Sequence, residues 1–143
     1  MIISHFEELM LFEPYHLGDV ALQNRMVMAP MTRSRASQPG DVPTTLNSEY
    51  YAQRASAGLI VSEGVPVSEL ARGYLWTPGL YSPAQIAGWK LVADAVHGKG
   101  GKIFAQIWHC GRISHASLRA NRQSPSAGSA DWRCCQCDVF CLQ

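Results

Sequence analysis

A chain of 143 residues with 47% hydrophobic content is sized for one ordinary domain with a real core. Its formal net charge of +1 gives no electrostatic pull toward nucleic acid or an anionic membrane. No apolar run approaches the roughly 18 residues of a membrane span, and Glu7 and Glu8 stand where a secretory leader carries bases, so a cytoplasmic location is expected.

Residues 8–24 read as a short extended hairpin, with the step Leu17-Gly18-Asp19-Val20 as its turn. Arg25–Pro30 is a short apolar strand that Pro30 stops, opening into a polar loop over 31–43. A helix is predicted over Leu46–Ser56, with Tyr50, Tyr51 and Ala55 on one face and Ala57-Gly58 as its stop. Leu59–Glu63 is a second apolar strand, ended by Gly64. After a long loop, Ser82-Pro83 is a strong helix start: a hydroxyl cap, then proline at the first helical position. That helix is predicted over Pro83–His97, with Ile86, Trp89, Val92, Ala93 and Val96 on its buried stripe. Gly98, Gly100 and Gly101 end it, and Lys102–Trp108 reads as a third strand, buried on both faces. Gln106 inside that strand is a primary amide that needs a partner, in the core or in a ligand.

Strand, helix, strand, helix, strand, with strands apolar throughout, argues for an α/β fold with a parallel sheet under helices. The doubly wound sheet and the closed eight-stranded barrel are the two dominant forms. No glycine fingerprint of the dinucleotide-binding type follows any strand, which weighs against the first. In both forms function sits at the C-terminal ends of strands. Those ends carry Ala29-Pro30-Met31-Thr32, Ser62-Glu63-Gly64 and Gln106-Ile107-Trp108-His109. A hydroxyl, a bare backbone and an amide suit the edge of a planar heteroaromatic ring, with Trp108 and Tyr74 as aromatic walls. Taken singly, each has a plainer use, as a turn, a cap or a core position.

The motifs Met-Ala-Pro-Met-Thr-Arg-Ser-Arg (28–35), Tyr-Tyr-Ala-Gln-Arg-Ala-Ser-Ala-Gly-Leu-Ile-Val-Ser-Glu-Gly (50–64), Gly-Leu-Tyr-Ser-Pro (79–83) and Gln-Ile-Trp-His-Cys-Gly-Arg-Ile-Ser-His (106–115) closely resemble the old yellow enzyme family. The nearest branch resembles the bacterial N-ethylmaleimide and xenobiotic reductases, over about residues 8 to 125. The resemblance implies the N-terminal portion of a (β/α)8 TIM barrel, incomplete, with about three of the eight strands. It implies flavin mononucleotide as cofactor, NADH or NADPH as reductant, and a small-molecule activated alkene as substrate. By the same resemblance Thr32 contacts the flavin O4, Pro30 and Met31 run main chain along the ring, Gly64 meets its edge, and Gln106 bonds its pyrimidine. Tyr74 and Trp108 line the substrate side. A neutral amide and a hydroxyl suit charge gathered on a reduced pyrimidine ring.

The family's substrate-holding His-x-x-Asn pair and its proton-donating tyrosine have no counterpart here, so no catalytic residue is assigned. None of the five histidines is followed three positions on by asparagine. His109 and His115 belong to the strand-end motif and are read as structural. The expected division is 1–125 as the flavin-binding barrel portion and 126–143 as a divergent tail, whose composition reads as a shifted frame or a truncated product. All five cysteines, Cys110, Cys134, Cys135, Cys137 and Cys141, lie in the C-terminal third, unlike a disulfide framework. Cys134-x-x-Cys137 with Cys141 has the spacing of metal-binding thiolates. A structural zinc site, however, needs four ligands, usually as separated pairs, so no metal is expected. The rival readings are a non-catalytic remnant and a Cys/His metal-binding module. Three strands leave a sheet edge open, which predicts self-association.

Overall fold

The computed structural model describes residues 10–118 and, as backbone, 138–141. The metal-binding reading of the tail therefore falls outside the described side chains. Two short strands, β1 (Tyr15–Leu17) and β2 (Val20–Leu22), pair antiparallel with Leu17 opposite Val20. Gly18 turns the chain with φ +56°, in the left-handed region that glycine enters without cost. The main sheet has the order β3-β4-β5-β6, formed by β3 (Val27–Met28), β4 (Leu59–Pro66), β5 (Ile103–Trp108) and β6 (Asp138–Cys141). The first three strands are parallel, as expected for part of a barrel, and β6 runs antiparallel beside β5. Two helices make the crossovers, α1 (Thr45–Ala52) and α2 (Pro83–His97). Among the described residues no helix is long and apolar enough to cross a membrane.

The core lies between sheet and helices. Tyr51 and Ala55 on one side and Trp89, Val92, Ala93 and Val96 on the other pack on Ile60, Val65, Ile103 and Ala105. Trp89 is anchored as well as buried: its indole N–H donates to the Gly79 carbonyl at 3.1 Å.

Four sequence readings are corrected. The first strand is only Val27–Met28, because Pro30 offers no N–H and the chain then turns toward β4. Helix α1 stops at Ala52 rather than Ser56. There the Gln23 and Asn24 side chains take the carbonyls of Ala55, Ala57 and Ser56, which competes with helical continuation. Strand β4 runs on through Gly64 to Pro66. On α2, Ile86 is 55% exposed, and the buried side of the first turns belongs to Gln85 and Gly88.

Candidate functional site

Strand β4 carries an irregularity that decides which side chains face where. Ile60 pairs with Ile103 and Val61 with Phe104, but the next pair is Gly64 with Gln106. Ser62 and Glu63 together oppose the single residue Ala105, which is a β-bulge. One extra residue shifts the alternation by one position. Ile60 and Val65 therefore both reach the helix side of the sheet, five residues apart. On the opposite face Gly64 comes level with Gln106, and Pro66 with Trp108. The Ser62 hydroxyl holds the bulge, accepting from the Gln106 N–H at 3.2 Å and donating to the Glu63 carbonyl at 2.7 Å.

Gly64 is required by close approach: a Cβ there would lie 2.4 Å from the indole of Trp108. That indole stacks on Tyr74, with centroids 5.3 Å apart and planes 18° from parallel. The two aromatic residues named from sequence thus form one wall. The Trp108 N–H is buried without a hydrogen-bond partner, among the described residues.

The β3 end supplies Pro30, Met31 and Thr32, all exposed. Neither the Thr32 hydroxyl nor the Gln106 carboxamide makes a hydrogen bond among the described residues. Gln106 is half-buried rather than sealed in the core. His109 and His115 act locally. His109 Nδ1 accepts from the Gly111 N–H at 3.0 Å, and His115 Nδ1 accepts from the Ser117 N–H at 3.2 Å.

Ties between the loops beyond the strand ends steady this surface. Arg72 forms a 2.7 Å ion pair with buried Asp41, joining the loop after β4 to the loop after β3. The Cys110 N–H donates to the Ala71 carbonyl at 3.1 Å, and the Ser114 hydroxyl donates to the Arg72 carbonyl. The last two bonds bring in the loop after β5.

Sequence reasoning passed over Glu63. Its side chain is fully buried on the helix side. One carboxylate oxygen accepts from the Arg33 N–H at 2.9 Å, and the other lies 3.4 Å from the Tyr51 hydroxyl. That hydroxyl also accepts from the Glu63 N–H at 2.9 Å. Burial pushes the carboxyl above its ordinary range, and the Arg33 amide and Tyr51 hydroxyl pull it part of the way back. An ionisable residue within an otherwise apolar strand was the available signal.

The strand-end surface is an open wall. Clefts of larger volume lie elsewhere among the described residues: one of about 630 Å³ between the hairpin and Gly100–Phe104, another of about 580 Å³ along β3. Neither is lined by Thr32, Gly64 or Gln106. Among the described residues, no group of three or more His, Cys, Asp or Glu is placed to hold a metal ion.

Known proteins share this framework. The model of the NADH:flavin oxidoreductase / NADH oxidase family matches residues 10–140. The flavin oxidoreductase hxnT of Emericella nidulans is 53% identical over 108 residues, covering 73% of this chain and 28% of that protein. 12-Oxophytodienoate reductase 7 of Oryza sativa subsp. japonica is 46% identical over 129 residues, covering 86% and 32%. Among solved structures, morphinone reductase in complex with tetrahydroNAD superposes with a TM-score of 0.78 at 46% identity, over 93% of this chain and 39% of that one. The old yellow enzyme homologue from Zymomonas mobilis gives 0.78 at 41% identity, over 91% and 38%. The chain thus spans about 30% of the length of the curated relatives it matches. With a family model matched along almost its whole length and the three parallel strands of a partial barrel, the chain belongs to the NADH:flavin oxidoreductase / NADH oxidase family, the old yellow enzymes, and corresponds to its N-terminal part.

Proposed function

We propose that the ends of β3, β4 and β5 hold one side of a flavin mononucleotide ring, in a protein whose whole barrel reduces small activated alkenes with NADH or NADPH. The observation that carries this reading is the register that sets Gly64 beside Gln106. A residue without a side chain and a carboxamide without a partner among the described residues stand on one face of the sheet, and the exposed Thr32 belongs to the end of the neighbouring strand β3.

The donor set fits a flavin. Thr32 and Gln106 are neutral hydrogen-bonding groups, and the carboxyl of Glu63 belongs to the helix side of the sheet. Neutral donors favour an electron-rich pyrimidine edge without fixing a charge against it. Pro30 and Met31 would lie along the ring through their main chain, and Gly64 would let its edge approach the backbone. Bound flavin would supply the redox chemistry, accepting hydride from the nicotinamide and delivering it to the alkene. Tyr74 and Trp108, stacked and partly exposed, would wall the substrate side and exclude water from it.

Relatives named for reduction of 12-oxophytodienoate and of chanoclavine-I aldehyde support an unsaturated carbonyl compound as substrate. A relative solved with tetrahydroNAD supports a nicotinamide reductant. Because the 143 residues span about 30% of the length of the relatives, they are expected to bind flavin weakly, and because they lack the substrate-holding His-x-x-Asn pair, to turn over no alkene by themselves.

Titrating the chain with FMN, followed by quenching of flavin fluorescence, tests the site. Saturable binding is expected, weakened about tenfold by Gln106→Ala and by Thr32→Ala, the scale of one lost hydrogen bond. Absence of saturable binding, or binding indifferent to both substitutions, overturns the proposal. Enone-dependent NADH or NADPH oxidation by this chain alone would overturn its expected inactivity.

A further inference from the structure

Glu63 has no use in the contacts proposed for the cofactor, yet it is the most deeply buried carboxyl near them. The bulge at Ser62–Glu63 delivers it to the helix side, where α1 contributes Tyr51 and the loop after β3 contributes the Arg33 amide. Arg33 directly follows Thr32. The next residue, Ser34, has φ +53°, a left-handed conformation that a non-glycine residue keeps only when its surroundings impose it. The Arg33 amide and the Tyr51 hydroxyl thus converge on one buried carboxyl, which ties the loop after β3 to α1.

We infer that Glu63 is a positioning residue of the candidate flavin site: by holding the Arg33 amide it fixes the backbone that presents the Thr32 hydroxyl. This role rests on the flavin reading and adds to it a residue that touches no ligand. The bulge links the two faces of the sheet. The extra residue that puts Glu63 against Tyr51 is the same one that brings Gly64 level with Gln106. Ring contact and loop anchor thus share a single backbone irregularity, and β-bulges are over-represented beside active sites for such re-aiming.

The test uses the 143-residue chain, Glu63→Ala, Glu63→Gln, Thr32→Ala and the double variant Glu63→Ala/Thr32→Ala. Backbone amide exchange is read without flavin. Glu63→Ala should speed exchange at Arg33 at least tenfold relative to amides of α2, whereas Glu63→Gln, which keeps an acceptor oxygen, should largely preserve the protection. Unchanged Arg33 exchange in Glu63→Ala overturns the inference. If Glu63→Ala does not fold, the decision passes to Glu63→Gln and Tyr51→Phe. Glu63→Gln should then stay protected while Tyr51→Phe, which removes the hydroxyl on the carboxyl's other oxygen, speeds Arg33 exchange; fast Arg33 exchange in folded wild-type chain, or exchange as slow in Tyr51→Phe as in wild type, overturns it.

FMN affinity forms the second arm. Glu63→Ala should weaken binding about tenfold, and Thr32→Ala should add little on top of it, since both act through one hydroxyl. Fully additive losses overturn the positioning role. A wild-type chain that binds no FMN sinks the flavin reading alone, and the exchange result then decides whether Glu63 sets the Thr32 backbone.

Discussion

Gly64 and Glu63 are neighbours in sequence with opposite tasks, and each makes a single-residue prediction. At Gly64 the space a side chain would need is already taken by Trp108, 2.4 Å from an added Cβ. Gly64→Ala must therefore push the indole off its stack with Tyr74 or displace β4 from β5. Overpacking of this kind costs about 1–3 kcal/mol. A urea unfolding curve should move by that amount, and an unshifted midpoint would show the indole free to move aside. Glu63 makes a pH prediction whose sign follows from burial. Its carboxyl is pushed above the ordinary value of 4.5, chiefly by desolvation. The Arg33 amide, the Tyr51 hydroxyl, the Ser34 amide and the Arg33 guanidinium oppose that push without cancelling it. The folded state thus holds this proton more tightly than the unfolded chain does. The stability it contributes is fully present below 4.5 and is lost as pH rises through the higher folded value. Glu63→Gln stays neutral throughout. Its stability relative to wild type should rise as pH climbs across that window, and a difference that stays flat with pH would contradict the raised carboxyl.

The elements differ in how far local chemistry determines them. Helix α2 is set by neighbours in sequence. The Ser82 hydroxyl accepts from the Gln85 N–H at 3.3 Å, Gln85 Oε1 accepts from the Ser82 N–H at 3.0 Å, and Pro83 opens the first turn. Ser82→Ala should cost about 1 kcal/mol in urea unfolding. Gln85→Ala should cost more, because Gln85 is buried and also donates to the Gly40 carbonyl at 2.8 Å, tying the helix start to the loop after β3. Equal losses would mean that this tie adds nothing. Since cap, proline and terminal glycines are all local, the helix was legible from sequence, its start at Pro83 and its end at about His97. Strand β4 was not. Gly64 looks like a strand terminator in one dimension, yet it continues β4 because Trp108, forty-four positions on, needs the room. The bulge is equally non-local: a register is a relation between two strands, and Ser62–Glu63 alone does not announce it. Thr32, Gly64 and Gln106 were nameable as candidates because each stands at or near the C-terminal end of an apolar strand. Glu63 was hidden because its value depends on the amides of a loop thirty residues away.

At the scale of the molecule, the sheet ends in two edge strands of different kinds, β6 and β3. Strand β6 lies along β5, whereas β3 pairs only with β4 among the described strands. Beside that edge Met26 and Val27 are 47% and 53% exposed, and Phe12 is 65% exposed in the segment before the hairpin. The cleft along β3 is lined by Phe12, Met26, Val27 and Met28 together with the turn after α1. Unpaired strand groups flanked by apolar side chains are a template for pairing with another chain. The 143-residue chain should accordingly self-associate as its concentration rises. Charge on an edge is the usual natural defence, so Val27→Lys should lower the apparent mass seen by light scattering. It should leave the far-ultraviolet circular dichroism unchanged, because Val27 is half-exposed and lies outside the packed core. Should association persist undiminished in Val27→Lys, the β3 edge is not the contact. Should it vanish along with the circular dichroism signal, the lysine has unfolded the strand rather than guarded it. The outcome that supports the edge as the route is a smaller particle with intact secondary structure, since only then has pairing been removed while the sheet that offers it remains.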